Sequence, residues 1–424
     1  MLLLMAILLI ILLFIRMPIA FVLLVVGSIG TITLIGYDPL TGIYSTTAYR
    51  SINNFTFSTI PLFILMAHFM SKSRIADDLF ECILRWIGHK PGGVGVSTVL
   101  GSAGFGTLTG SSIAATTVMS EIAVPKMIKA KYPDWFASGL VATSSGTLAV
   151  MIPPSIPLII YGIQTENSIG KLLIAGILPG LLLAFLLCIT VIWVGIKENS
   201  KTERYSWKER WQSTIKIWPS VLLILLVLSF IYFGFGTTTE AASFGAFGAM
   251  VIGLTMRRLN WKMIVESLVT TAKQSGMIFI IVVGAHVFTY YVTMTRVTQD
   301  ILAFIQASGM STWMILAAIV ILYLILGMFM DLLGSLLVTL PLVYPLLLGL
   351  GYDPIWAGIV IVLLLEIGLV TPPVGINIYI TSQHSGVPVN TVLRGSWLFI
   401  GVVLLAAILL IIFPEIVLFL PSIM

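Results

Sequence analysis

The sequence predicts an all-α membrane protein of two inverted-topology repeats, each carrying a re-entrant helical hairpin and a broken helix. Three observations predict it: an apolar excess that only lipid can solvate, an internal repeat, and a one-sided distribution of Lys and Arg. Of 424 residues, 58% are hydrophobic and 9% charged, against about a quarter charged in a soluble domain. The polar surface that a soluble globule needs is missing. Apolar stretches such as Leu2–Ile15, Ile19–Ile35, Leu172–Val194 and Val221–Phe235 approach or reach the roughly 17–25 residues that span a bilayer as helix. They recur from end to end, which excludes a separate soluble domain.

The net charge of +5 does not point to nucleic acid, because the basic residues sit in short loops between apolar runs rather than on one face. Cys82 and Cys188 have neither CxxC nor metal-ligand spacing and read as two inert thiols. The N-terminus has no basic leader and no small-residue cleavage site, so it is expected to be the first span rather than a removable signal.

The repeat aligns Ser73-Arg74-Ile75-Ala76-Asp77-Asp78 with Thr295-Arg296-Val297-Thr298-Gln299-Asp300, 222 positions on. Pro125, Tyr132 and Ala137 then match Pro345, Tyr352 and Ala357. Pro153-Pro154 falls opposite Pro372-Pro373, and Tyr161 opposite Tyr379. A first repeat over 1–196 is therefore expected to hold scaffold spans, an amphipathic arm near 74–88, a hairpin over 92–124 and a broken helix over 135–162. The hairpin segment has too many glycines and hydroxyls for a lipid-facing span. A linker over 197–218 follows, and its Lys197, Lys201, Arg204, Lys208, Arg210 and Lys216 put it in the cytoplasm by the positive-inside rule. The second repeat, 219–424, is expected to repeat the pattern with spans 219–235, 239–256 and 276–293, an arm over 296–308, a hairpin over 312–345 and a broken helix over 354–380. Counting crossings from the linker gives ten plus the two hairpins and leaves only Arg50, Lys171 and Arg296 outside. Arg16, Lys72, Arg74 and the rest fall inside. Because Arg74 and Arg296 then face opposite sides, the repeats are inverted. Inverted repeats with broken helices at matching places point to a secondary transporter with its site near the midplane.

Candidate site residues lie where the helices are interrupted. The hairpin tips are expected at Gly101–Ser112, with Thr109, Ser111 and Ser112, and at Gly327–Ser335, with Asp331, Gly334 and Ser335. The helix breaks are expected at Ser144-Ser145-Gly146-Thr147 through Pro153-Pro154-Ser155, and at Glu366 through Gly368, Thr371, Pro372-Pro373 and Asn377. Consecutive prolines remove amide donors and free carbonyls, which with hydroxyls and one carboxylate would suit a hard cation. The metal set is Thr109, Ser111, Ser112, Gly146, Thr147, Asp331, Gly334, Ser335, Gly368 and Thr371. The substrate set is Ser144, Ser145, Pro154, Ser155, Glu366 and Asn377. The competing reading of the glycines and hydroxyls is close helix packing. For Asp331 ligation is preferred over helix capping; for Glu366, capping or a proton-linked role stands beside substrate contact. Glu240 has capping-box spacing after Thr237, and His286 reads as a hydrogen-bonded core histidine. No nucleotide-binding loop, zinc cluster or hydrolase elbow is present, so neither ATP coupling within the chain nor familiar hydrolysis is expected. A membrane-embedded enzyme using Asp331 and Glu366 as an acid–base pair has no further support.

At Gly110-Ser111-Ser112, Ile152–Gly162, Ile174–Gly180, Thr239-Glu240-Ala241-Ala242 and Thr371–Gly375 with Asn377, the chain resembles the large membrane (DctM-type) subunit of tripartite ATP-independent periplasmic (TRAP) transporters, along nearly its whole length. The resemblance implies an elevator-type fold in the bacterial inner membrane and sodium-coupled uptake of an organic acid anion, with two or more sodium sites. The cargo is expected to be sialic acid or a C4-dicarboxylate. The implied partners are a small four-helix membrane subunit, expected as a separate chain, and a periplasmic binding protein that holds most of the selectivity. A stand-alone sodium/dicarboxylate symporter is the alternative, and uptake by this chain alone in vesicles would distinguish it.

Overall fold

The computed structural model describes residues 2–15, 17–197 and 204–424, and every regular element among them is helical. Arg16, Lys201 and the linker stretch 198–203 lie outside the described residues.

The duplication is visible in the backbone. Of the thirteen residues with positive φ among the described residues, a conformation unfavourable without glycine, eight fall in pairs: Gly36 (φ 91°) with Arg257 (56°), Arg74 (53°) with Arg296 (55°), Lys131 (68°) with Gly351 (87°), and Glu166 (54°) with Gly386 (75°). At these four places the chain turns alike in both halves. Two amphipathic arms, Ile75–Ile87 and Val297–Ser308, follow the paired arginines. The hairpins are Gly93–Thr109 with Ser112–Lys129, and Thr312–Phe329 with Leu332–Gly349. The broken helices are Asp134–Met151 with Ile156–Gln164, bent by 43°, and Pro354–Leu369 with Ile376–Ser385.

One stretch departs from the duplication. Tyr37–Ile52, Phe55–Ser58 and Thr59–Lys72 are separate helices, whereas their counterpart is one 35-residue helix, Trp261–Thr295. In the first half the Asn54 side chain accepts from Thr56 N at 3.0 Å, a local bond that competes with helix continuation. In the second half Asn260 caps the helix start by accepting from Met263 N at 2.9 Å, so the span begins well before the expected 276. The linker is also more ordered than expected, because Ser206 and Glu209 form a capping box that starts a helix, Trp207–Lys216. Thr237 and Glu240 form the expected box.

Two packed groups result. Ile19–Ile35 lies along Trp261–Thr295, so close that a Cβ on Gly27 would sit 2.8 Å from the Phe288 backbone, and Thr59–Lys72 packs on Thr238–Thr255. The hairpins, broken helices and Val389–Ile412 form the other group, where a Cβ on Gly139 would sit 2.3 Å from the Gly395 backbone. Small residues permit such approaches between membrane helices. The first arm joins the groups, through Asp78 to Arg258 and through Glu81 to Lys126 at 2.6 Å. By length and hydropathy alone six helices among the described residues are able to cross a membrane, or up to eight if each of two bent pairs is one span. Ile19–Ile35 and Pro354–Leu369 are also apolar but shorter.

Candidate functional site

The interruptions are tighter than the sequence suggested. Gly101 to Gly106 belong to a continuous helix, and the first hairpin turns only at Gly110-Ser111. The second turns at Met330-Asp331, leaving Gly327 helical. Ser144, Ser145, Gly146 and Thr147 also lie in regular helix, as do Glu366 and Gly368; the breaks are confined to 152–155 and 370–375. The reason is packing. A Cβ on Gly106 would lie 2.6 Å from Ala149, and Gly327 and Gly368 are pressed together backbone to backbone, so these glycines serve helix contact.

Four of the predicted residues converge from both repeats. Glu366 and Asn377 are fully buried on either side of the second break, and Ser112 opens the second limb of the first hairpin. Glu366 Oε1 accepts from Ser112 Oγ at 2.6 Å and from Asn377 Nδ2 at 2.9 Å, and Asn377 Nδ2 also reaches Ser112 Oγ at 2.9 Å. Gly146 closes the centre: a Cβ there would sit 2.3 Å from Glu366 Oε1, 2.4 Å from Ser112 Oγ and 2.5 Å from Asn377 Nδ2. Two acceptors of the cluster, Glu366 Oε2 and Asn377 Oδ1, have no donor among the described residues. No Lys, Arg or His pairs with Glu366 among the described residues. A carboxylate in such a place demands a proton or a cation.

A second contact joins the first hairpin tip to the first break. Ile156 N donates to Gly110 O at 3.2 Å, and a Cβ on Gly110 would lie 2.4 Å from Pro154 O. Ser111 and Ser155 cap the helices that follow, accepting from Ala114 N at 3.5 Å and Leu158 N at 3.4 Å. Asp331 also caps, its Oδ2 accepting from Gly334 N at 3.2 Å, the role that the sequence reading set second. Among the hydroxyls, Thr109, Thr147 and Thr371 bond carbonyls of their own helix. Ser145 meets Ser102 at 3.1 Å. Ser144 Oγ and Ser335 Oγ are buried without partners. His286 is not the hydrogen-bonded histidine expected; it lies half-buried without a side-chain bond among the described residues.

The sequence reading missed Ser120, Thr381, Glu121 and His384. Ser120 Oγ meets Thr381 Oγ1 at 3.2 Å and Glu121 meets His384 at 2.7 Å. The signal was present in the four-residue spacing of Ser112, Thr116 and Ser120, and of Asn377 and Thr381, which places each set on one helix face.

A polar centre shared by discontinuous helices and a hairpin, inside a duplicated membrane fold, is the architecture of a secondary transporter. The family model of the tripartite ATP-independent periplasmic transporter, DctM component, matches residues 6–416. The C4-dicarboxylate TRAP transporter large permease protein DctM of Pseudomonas aeruginosa is 34% identical over 399 residues, 93% of each chain. The ectoine TRAP transporter large permease protein TeaC of Halomonas elongata is 34% identical over 367 residues, 85% of each. In fold, the chain resembles the YdaH transporter of Alcanivorax borkumensis, with a TM-score of 0.63 over 95% of this chain and 97% of that one at 12% identity. The chain belongs to the DctM family of large permease components of tripartite ATP-independent periplasmic transporters.

Proposed function

We propose that this chain takes up an organic acid anion across the bacterial inner membrane, driven by sodium, with the anion delivered by a periplasmic binding protein and with a small four-helix subunit as a separate membrane partner. The observation that carries the coupling is the buried, unpaired Glu366 beside the orphaned Asn377 Oδ1. A carboxylate without a counter-charge would repel an anionic cargo, so Glu366 and Asn377 serve the coupling ion rather than the substrate contact first assigned to them. Sodium suits this donor set, because hard cations take carboxylate, amide and hydroxyl oxygens. Further sodium ligands belong at the hairpin tips: Ser111 and Gly110 against Pro154, and Asp331, Gly334 and the unpartnered Ser335. Ser144 and Ser155 remain for the substrate.

The hairpins and broken helices travel as one body past the scaffold, since separating them would strip Glu366 of the donors that the first hairpin supplies. The named relatives carry a C4-dicarboxylate and ectoine at equal identity, so the first cargoes to test are C4-dicarboxylates and sialic acid, with ectoine beside them.

The test is reconstitution. Uptake into vesicles should require the chain, the small subunit, the loaded binding protein and an inward sodium gradient. Uptake by the chain alone would instead establish a stand-alone symporter.

A further inference from the structure

The linker helix Trp207–Lys216 carries a feature that lies outside the candidate site. Arg210 is buried to 5% exposure, yet it pairs with no carboxylate among the described residues. Among the described residues its one side-chain bond is from Nη2 to His89 Nδ1 at 3.3 Å, and its Nε has no partner. The guanidinium stands over the Trp207 and Trp86 rings at 5.5 and 5.9 Å, and Trp86 is held edge-on to Trp207 and Trp211 and donates to Thr214 Oγ1 at 2.8 Å. Cation–π contact satisfies none of the five N–H donors of an arginine. The adjacent Glu209 is engaged elsewhere, accepting from Ser206 N and Oγ at 2.8 and 2.7 Å. Among the described residues, the buried cation has no anion.

The surroundings say which kind. Lys90, Arg204 and Lys208 are exposed around the cluster. Burial, then the charges of Arg210, Arg204 and Lys90, push His89 below the ordinary histidine range, as expected where positive potential is uncompensated. On the same helix Trp207, Trp211 and Ile215 are 61%, 57% and 68% exposed, spaced four apart and hence on one face. An aromatic stripe with flanking cations is the pattern of a helix lying at headgroup depth. A phosphate tethered to acyl chains meets both halves of this pattern, whereas a soluble anion would meet only the charge.

We propose that Arg210, Trp86, Trp207 and His89 form a binding site for the phosphate of an anionic phospholipid, at the junction of the linker helix and the first arm. Because Arg85 of the arm donates to Glu209 O at 3.5 Å and Thr214 holds Trp86, the bound lipid braces the arm against the linker. The site needs only that this helix lies on a membrane, not that sodium drives transport.

The test uses the full chain in vesicles of phosphatidylcholine alone or equimolar with phosphatidylglycerol, one lipid at a time carrying brominated acyl chains. Tryptophan quenching should favour brominated phosphatidylglycerol, and Arg210→Gln should reduce that preference about fivefold, the factor one cation at a lipid surface is worth. The double variant Lys90→Gln/Lys208→Gln, confined to exposed positions, should reduce it in the same direction should Arg210→Gln fail to fold. Equal quenching by both lipids in the wild type, or an undiminished preference in Arg210→Gln, would overturn the site. Loss of the preference on adding inorganic phosphate at constant ionic strength would identify a soluble anion as the occupant and overturn the lipid assignment.

Discussion

The second limb of the first hairpin, Ser112–Lys129, lies on Ile376–Ser385; its counterpart, Leu332–Gly349, lies on Ile156–Gln164. Each hairpin thus reaches into the opposite repeat, but the first seam is much the more extensive, and the chemistry of the two differs. The first runs from Ser112, Glu366 and Asn377 through Ser120–Thr381 to the exposed Glu121–His384 pair. The second is built on tyrosines: Tyr344 OH accepts from Asn167 Nδ2 at 2.9 Å, Tyr161 packs edge-on to Tyr344 at 6.0 Å, and Tyr161 OH donates to Pro354 O at 2.7 Å. In the repeat alignment, Leu332, Leu340 and Ile159 stand where the first seam has Ser112, Ser120 and Asn377. Duplication therefore supplied the framework, and divergence of one seam supplied the charged centre.

The comparison is broken most forcefully at Gly146. Alanine in place of a helical glycine ordinarily stabilises by about 1 kcal/mol, and that is the expectation at Gly401, whose Cβ would meet nothing within 4 Å. Gly146→Ala should instead cost about 1–3 kcal/mol by overpacking and abolish uptake, as thermal unfolding and vesicle assays of the two variants would reveal. Next in size is Ser112→Ala, which removes a donor from Glu366 and should cost about 1–3 kcal/mol, whereas Tyr344→Phe in the other seam should cost about 1 kcal/mol and spare sodium dependence. Asp331 separates capping from ligation. Asp331→Asn keeps an N-cap and Asp331→Ala loses about 1 kcal/mol of it. If Asp331 also holds sodium, both variants should raise the sodium requirement, and an unchanged requirement in Asp331→Asn would leave it a cap alone. The smallest effect belongs to Glu121→Gln, which breaks an exposed pair worth about 0.5 kcal/mol and screened by salt.

Much of this was legible beforehand, because the paired prolines and the Arg74/Arg296 register are local signals that survive in a single sequence. The breaks looked longer than they are because Gly101–Gly106 and Ser144–Thr147 have loop composition in water but serve close packing between membrane helices. The convergence of Ser112, Gly146, Glu366 and Asn377 was partly hidden for a different reason. Each residue was visible at its own interruption, but Ser112 and Glu366 stand 254 positions apart, and only the crossing of each hairpin into the opposite repeat brings them together. Arg210 was legible only as part of a basic loop, since its burial depends on Trp86 of the distant arm.

Sodium dependence of uptake by Glu366→Gln is the most direct measurement of the central claim, because the substitution keeps the shape and an acceptor for Ser112 while removing the charge. Wild-type complex in vesicles should take up its cargo only with inward sodium, and Glu366→Gln should assemble with its partners yet lose that dependence together with at least about tenfold of the rate. Wild-type uptake indifferent to sodium, or Glu366→Gln with the sodium response of the wild type, would contradict the account.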